Sequence, residues 1–541
     1  MMFFRSSFLW TLVFTSQVLF AQNKSTKAEE VPNLNWYNKD QAQDHVLGIS
    51  TEKAYRELLK NRKWTTVIVA VIDGGVDSSH EDLKAILWKN NKEISGNGKD
   101  DDGNGYADDV HGWNFIGGPG RKDVGKDSYE VTRMLALLEP KYLGKSRSAL
   151  NAEDQKEYDL YIKVKQEYNK QKTQSLDEVN KYSPILRMVD YSNNLVKKKF
   201  LVGTIDSNFL KTAKSDDQDV KQGLFISGQL LKMGYKNTDS AVSDLKEGIK
   251  HSQDKLDYGL DSAFNPRIIV GDHYNDWKES HYGNNDFMGP DALHGTHVSG
   301  IIGAIRNNGK GINGVANHVI IMPIRAVPDG DERDKDIANS IRYAVDNGAK
   351  IINMSFGKGY SPYKEAVDEA VKYAESKGVL LVHAAGNESV DKDTVTNFPN
   401  SNYLAGGQAS NWIEVGASSK DTSKTMAAEF SNFGKKTVDV FAPGVDIYST
   451  VPSGNKYKNE SGTSMACPVV SGLAAVLKSY FPYLSPQQLK EIIVKSAVPY
   501  HNLVVRPGSK NVLVPFDSLS ISGGIVNLYQ AVKLALTYPV K

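Results

Sequence analysis

The chain has 541 residues and a formal net charge of +1, from 65 Lys and Arg against 64 Asp and Glu. That balance gives no reason to expect a polyanion partner such as nucleic acid, and 40% hydrophobic with 24% charged residues reads as a soluble globular protein. Cys467 is the only cysteine, which excludes an intrachain disulfide, so stability must come from the core or from bound ions.

The N-terminus carries one early positive charge, Arg5, then an apolar stretch from Phe8 to Phe20, then Ala21-Gln22. This is the layout of a secretory signal, residues 1–21, cleaved after Ala21. A membrane anchor is the alternative, but the apolar stretch is short and interrupted by polar residues. An exported protein is therefore expected, periplasmic or secreted, with no membrane span after cleavage. Residues 22–64 form a lead-in segment, in which ISTEKAYRELLK reads as a helix running into the core.

From residue 65 the pattern changes. TTVIVAVIDGG (65–75) is a near-continuous Val/Ile run, suited to a strand buried on both faces. Similar runs recur at 319–327, 350–357, 379–387, 412–418 and 438–444. Helical patterns alternate with them: DIANSIRYAVDNG (336–348), and 362–378, where Ala366, Ala370, Val371 and Ala374 recur at helical spacing before Gly378. The alternation predicts an α/β fold of three layers, a mostly parallel β-sheet with helices on both faces. Residues 120–265 differ, being rich in Lys, Asp, Gln, Tyr and Ser. They read as a long, mainly helical insertion in a domain spanning 65–535; disorder is the competing reading, countered by the recurring Leu and Tyr.

Three segments carry candidate chemistry. Asp73 ends the first strand in VIDGGVDSSHEDL, His294 opens HGTHVSGIIGA, and Ser464 opens TSMACPVVSGLAAVLK. Ligands gather at strand ends in parallel sheets. A serine hydroxyl needs an imidazole to take its proton and a carboxylate to hold the imidazole in the right tautomer, and the order Asp, His, Ser is one of the known arrangements. Taken singly, each segment has a plainer reading: a turn aspartate, a helix cap or metal-binding His pair, and a helix N-cap serine. A zincin-type site is disfavoured because Gly295 and Thr296 break its spacing.

Together with HAAGNES (383–389), these motifs resemble those of the subtilisin-like serine peptidases, the subtilase family, and all four stand in family order. The resemblance covers roughly residues 48–117 and 266–535. It implies the subtilisin-like fold, a triad of Asp73, His294 and Ser464, and Asn387 as the side-chain donor to the oxyanion, with the Ser464 backbone N–H as second donor. Pro468 is expected early enough in its helix for its missing N–H to cost little, and Cys467 is expected to be a small packing residue. The resemblance also implies polypeptide substrates. Ser355, Phe356 and Gly357 after Met354 would form one wall of the pocket for the residue before the scissile bond, pairing with an extended peptide; Ala384, Ala385 and Gly386 would form the far wall. Large apolar side chains are the expected preference.

Calcium is the expected cofactor, in a structural role. In KDDDGNGYADD, Asp100, Asp102, Asn104 and Asp108 fall at positions 1, 3, 5 and 9 of an EF-hand-like loop, but His111 stands where the closing Glu belongs. A calcium loop of another kind and a solvated acidic turn both remain open. Separately, AIRNNGKGINGVA (304–316) resembles the family's tight calcium loop, which implies Asn308 and Asp82 as ligands. Two features depart from the family: residues 74–293 between Asp and His are far more than compact members have, and 22–64 is short for a separate folding prodomain, so none is expected. The insertion is expected near the cleft, as a lid, a specificity arm or a partner platform. A catalytically silent binding protein on the same fold is the alternative function, disfavoured because no triad or oxyanion residue is lost. An α/β-hydrolase esterase would need Gly-x-Ser-x-Gly, which residues 462–466 break.

Overall fold

The computed structural model describes residues 34–539. The expected signal, residues 1–21, lies outside them. No described helix is long and apolar enough to cross a membrane.

A nine-stranded sheet organises the main unit, residues 34–151 and 262–539. Its strands are β1 (Val67–Asp73), β2 (Trp113–Asn114), β3 (Val319–Arg325), β4 (Ile351–Met354), β5 (Leu380–Ala384), β6 (Trp412–Ser418) and β7 (Val440–Pro443). A hairpin of β8 (Ile447–Val451) and β9 (Lys456–Glu460) stands apart, and β10 (Val498–Pro499) and β11 (Gly524–Ile525) complete the sheet. The order is β10-β11-β7-β6-β5-β4-β1-β3-β2, parallel throughout except for the β10–β11 pair at one edge.

The unbroken apolar runs have the expected cause. In β1, Val67, Val69 and Val71 pack with Val298 and Ile301 of α1 (Leu293–Gly303) and with Val469 and Leu473 of α4 (Thr463–Tyr480). Ala70 and Ile72 face the other way, towards Ile337 and Ile341 of α2 (Asp334–Asp346) and Ala366 and Ala370 of α3 (Lys364–Ser376). Both faces of the sheet are covered, so nearly every strand residue is apolar, each large one contributing about 1.5–3 kcal/mol by its burial. The chain leaves β1 for β3 on one side and then crosses to β4 on the other. This reversal opens a crevice at the carboxyl ends of β1 and β4, the usual place for a site in such sheets.

The lead-in is part of this core. Trp36, Tyr37, Ile49, Ala54 and Leu59 are buried in it, Thr51–Leu59 is helical as read, and the Tyr37 hydroxyl donates to the Asn313 carbonyl at 2.8 Å.

Within the 120–265 stretch, residues 152–261 form a compact unit of their own. Its 49-residue helix Ala152–Phe200 packs with Gln218–Lys232 and Thr238–Asp254 around Val189, Ile226, Val242 and Leu245. Residues 120–151 belong instead to the main unit. They are tied there by buried ion pairs, Glu130 with Lys358 at 2.7 Å and Asp127 with Arg333 at 2.7 Å. Neither pair is visible in a local sequence pattern.

Candidate active site

Asp73 is the last residue of β1 and is 3% exposed. Its carboxylate accepts from His294 Nδ1 at 2.8 and 2.9 Å and from the Gly74 N–H at 2.8 Å. The helix carrying His294 approaches closely because residue 295 is glycine: a Cβ there would sit 2.2 Å from the Gly75 carbonyl and 3.1 Å from Asp73 Oδ1. Thr296 locks the same junction by accepting the Asp77 N–H at 2.8 Å. His297, the second histidine of HGTH, is buried and directs Nε2 to the Lys458 carbonyl of β9 at 3.1 Å. Burial pushes its pKa down to about 3. The two rings thus serve different partners and do not form a metal-binding pair.

The His294 pKa is raised. Desolvation opposes its charge, but the Asp73 carboxylate outweighs this, with smaller help from Glu460 and Asp291. Its Nε2 has no hydrogen bond to the described residues.

Ser464 is the second residue of α4, where backbone N–H groups lack intrahelical partners and the helix dipole favours negative charge. Asn387, just after β5, is oriented by Thr463: its Oδ1 accepts from the Thr463 N–H (2.9 Å) and hydroxyl (3.0 Å), which leaves Nδ2 to point away. A Cβ on Gly462 would lie 3.5 Å from the Ser464 N and 3.6 Å from Asn387 Nδ2. The two donors therefore flank one small volume, kept open by glycine. The Ser464 hydroxyl donates to the Ser355 carbonyl at 3.2 Å, so it must turn to reach His294.

One sequence expectation needs correcting. Pro468 is not in the first turn of α4, which starts at Thr463. Its missing N–H would have bonded the Ser464 carbonyl, four residues back. That carbonyl instead accepts the Ser355 hydroxyl at 3.0 Å, so the proline frees an acceptor that joins the start of α4 to the segment after β4. Cys467 is fully buried, its Sγ 3.3 Å from Asn353 Oδ1 and from the Val382 carbonyl, and burial pushes its thiol up to about 12.

The two pocket walls follow neighbouring strands. Ser355, Phe356 and Gly357 leave β4, with Ser355 buried, Phe356 half-buried and Gly357 exposed. Ala384 closes β5, and Ala385 and Gly386 follow it. Gly386 has φ +105°, and a Cβ there would meet Asn432 Nδ2 at 2.4 Å and Glu388 Oε2 at 2.5 Å, so side chains are excluded at that point of the wall.

The acidic loop divides the sequence-read ligands. Asp100 and Asp102 come together with Glu93, one carboxylate oxygen of each lying within 4.8 Å of the others. Asp108 faces elsewhere, accepting the N–H groups of Gly96 (2.8 Å), Asn97 (3.2 Å) and Gly98 (2.7 Å). The Asn104 amide donates to Asp109 at 3.1 Å. Three hard oxygen donors suit a divalent cation such as calcium. Glu93 was not legible from spacing, because it lies outside the Asp/Asn/Gly run. In the second loop, Asn308 and Asp82 are hydrogen-bonded to each other, and Asp82 also accepts the Tyr457 hydroxyl at 2.7 Å.

Residues 65–514 match the model of the Subtilase family. The chain is 44% identical over 187 residues to a thermophilic serine proteinase of Bacillus sp. (strain AK1), covering 34% of this chain and 42% of that protein. It is 34% identical over 278 residues to subtilisin DY of Bacillus licheniformis, covering 51% of this chain and 89% of that protein. Thermitase of Thermoactinomyces vulgaris is 40% identical over 187 residues, 34% of this chain and 61% of thermitase. The match to the cell wall-associated protease of Bacillus subtilis (strain 168) spans 25% of that relative, so that relative and the Bacillus AK1 proteinase are each matched over less than half their length.

Proposed function

The chain belongs to the subtilase family, and from that premise we propose that it is an exported serine endopeptidase using Asp73, His294 and Ser464. The observation that carries this reading is the Asp73–His294 pair beside a helix start where the Ser464 N–H and Asn387 Nδ2 flank one volume.

In the proposed reaction, His294 Nε2 takes the proton from Ser464 Oγ as that oxygen attacks the scissile carbonyl. Asp73 holds the Nδ1–H and stabilises the imidazolium. The tetrahedral oxyanion is met by Asn387 Nδ2 and the Ser464 N–H. Removing one such side-chain donor costs about 10²–10³ in rate in subtilisin, a relative of this chain and the source of that figure. His294 then protonates the leaving amine, leaving an acyl-enzyme at Ser464. Water, deprotonated by His294, attacks the acyl carbonyl and restores the serine. Substrate lies along Ser355, Phe356 and Gly357 on one side and Ala385 and Gly386 on the other. On the same reading, residues 1–21 are the export signal, and the peptidase domain spanning 65–535 is interrupted by the helical unit 152–261 within the 120–265 stretch.

The test is covalent labelling with a fluorophosphonate probe beside Ser464→Ala, with casein digestion in parallel. The expected result is labelling and digestion by the wild type only. A folded wild type that neither labels nor digests would move the binding-protein reading to the front.

Calcium fits as a structural ion at Glu93, Asp100 and Asp102; Asp82 and Asn308 would hold one only on releasing the bonds they make to each other and to Tyr457. Asp108 and Asn104 would support the first loop through their hydrogen bonds. Chelation by EDTA should lower the melting temperature by roughly 5 °C or more, reversed by added calcium. An unchanged transition would remove both loops as calcium stabilisers.

A further inference from the structure

A fully buried histidine–carboxylate pair lies beneath the expected substrate-wall segment. His383 of β5 is fully buried, and its register neighbours are Met354 of β4 and Glu414 of β6. Its Nε2 is 2.8 Å from the Phe356 carbonyl and its Nδ1 is 3.0 Å from Glu414 Oε1. Both partners are acceptors. A neutral imidazole has only one N–H and could satisfy only one of them.

Glu414 is itself tightly held. Lys392 Nζ donates to the same Oε1, Trp412 Nε1 donates to Oε2 at 2.8 Å, and the Glu414 N–H donates to Asp439 Oδ2 at 2.8 Å. Burial works against its charge, but Lys392 and His383 outweigh that and hold its pKa at about 2. Both Glu414 oxygens accept from donors, Oε1 from Lys392 and Oε2 from Trp412, so the proton on the His383–Glu414 contact belongs to the ring. Asp439 is in turn paired with Lys490 at 2.9 Å.

We propose that His383 is a positioning residue for substrate: an imidazolium that bridges Glu414 to the Phe356 carbonyl and so fixes the Phe356–Gly357 backbone against which the acyl side of a peptide is bound. The neighbourhood fits that role. A Cβ on Gly357 would lie 3.8 Å from His383 Nε2 and 3.1 Å from the Phe398 carbonyl, so the segment is gripped from two sides. Phe398 and Lys358 exchange both backbone hydrogen bonds, each at 2.8 Å. The remaining face of the Phe356 peptide is held by the charge-assisted bond from His383. A cation paired in the interior is a costly way to make one hydrogen bond, and fixing register is the best-attested use of such pairs.

This rests on the peptidase reading, and the experiment separates the two. His383→Leu keeps the apolar volume and removes both donors. His383→Gln keeps a donor towards the Phe356 carbonyl. Each is compared with the wild type on a four-residue acyl-side peptide substrate and on a single-residue ester. The Leu variant should lose about tenfold or more in kcat/KM on the peptide, mostly in KM, and about threefold or less on the ester. The Gln variant should recover most of the peptide loss. Equal Leu and Gln variants, or peptide and ester falling together, would sink the proposal. A wild type inactive on both substrates would overturn the peptidase reading instead. In that event the ring itself decides the rest: in ¹⁵N-histidine-labelled wild type, both His383 nitrogens should carry protons, because both face acceptors. A ring with only one protonated nitrogen would refute the bridge.

Discussion

Among the described histidines that rest Nδ1 on a carboxylate, His294 and His383 are the two beside the cleft segments, and their second nitrogens separate their roles. His294 meets Asp73 at 2.8 Å with 41% of its side chain exposed, and its Nε2 looks into the crevice. His383 meets Glu414 at 3.0 Å with none of its side chain exposed, and its Nε2 is spent on the Phe356 carbonyl. The carboxylates differ as well. Asp73 has no Lys or Arg ion-pair partner among the described residues, whereas Glu414 shares its charge with Lys392. A base must exchange its proton with a reacting group, which needs an open nitrogen and a partner that steadies the charge only while it is present. A positioning ring needs both nitrogens occupied. The same pair chemistry therefore gives opposite behaviour once the second nitrogen is assigned.

The same substitution at both places tests this contrast most severely. His294→Gln removes the proton acceptor and should lower kcat by about 10⁴-fold or more, on peptide and ester alike. His383→Gln should leave most of the peptide activity. Comparable losses at the two positions would mean that His383 also takes part in proton transfer, or that His294 does not. Circular dichroism and melting of both variants separate these outcomes from misfolding.

The cleft pair was legible in the sequence and the buried pair was not, for a physical reason. Asp73, His294, Ser464 and Asn387 sit in short segments whose small neighbours are dictated by close approach. Gly295 is needed against Asp73, and Thr463 orients Asn387. Such constraints leave motifs. His383 and Glu414 instead interrupt apolar strands by one residue each, and only the β5–β6 register makes them neighbours. Read alone, each is a polar residue in a buried strand that must have a partner somewhere, and nothing local names it. The layered sheet was legible because burial on both faces writes continuous apolar runs. The extent of the separate helical unit was less so. The ties that keep residues 120–151 with the sheet include ion pairs to Arg333 and Lys358, far away in sequence. Glu93 was hidden likewise, brought to Asp100 and Asp102 by the folding of the loop rather than by spacing.

The smallest expected effect bears on how finely the cleft histidine is set. Glu460 closes β9, four residues before Ser464, and adds to the negative surroundings that raise His294. Since the base works only when neutral, a raised pKa delays activity: the acidic limb of kcat/KM should lie above the ordinary histidine value of about 6.5. Glu460→Gln removes a charge that favours the imidazolium, so the limb should move to lower pH. Added salt should shrink the difference between wild type and variant, because Glu460 is partly exposed and screened. Lys458 sets the competing outcome. It lies 2.9 Å from Glu460, and if it already neutralises that carboxylate, the two pH profiles will superimpose. Asp73 would then carry the tuning almost alone, and the cleft pair would be more isolated from its surroundings than the buried pair is from Lys392.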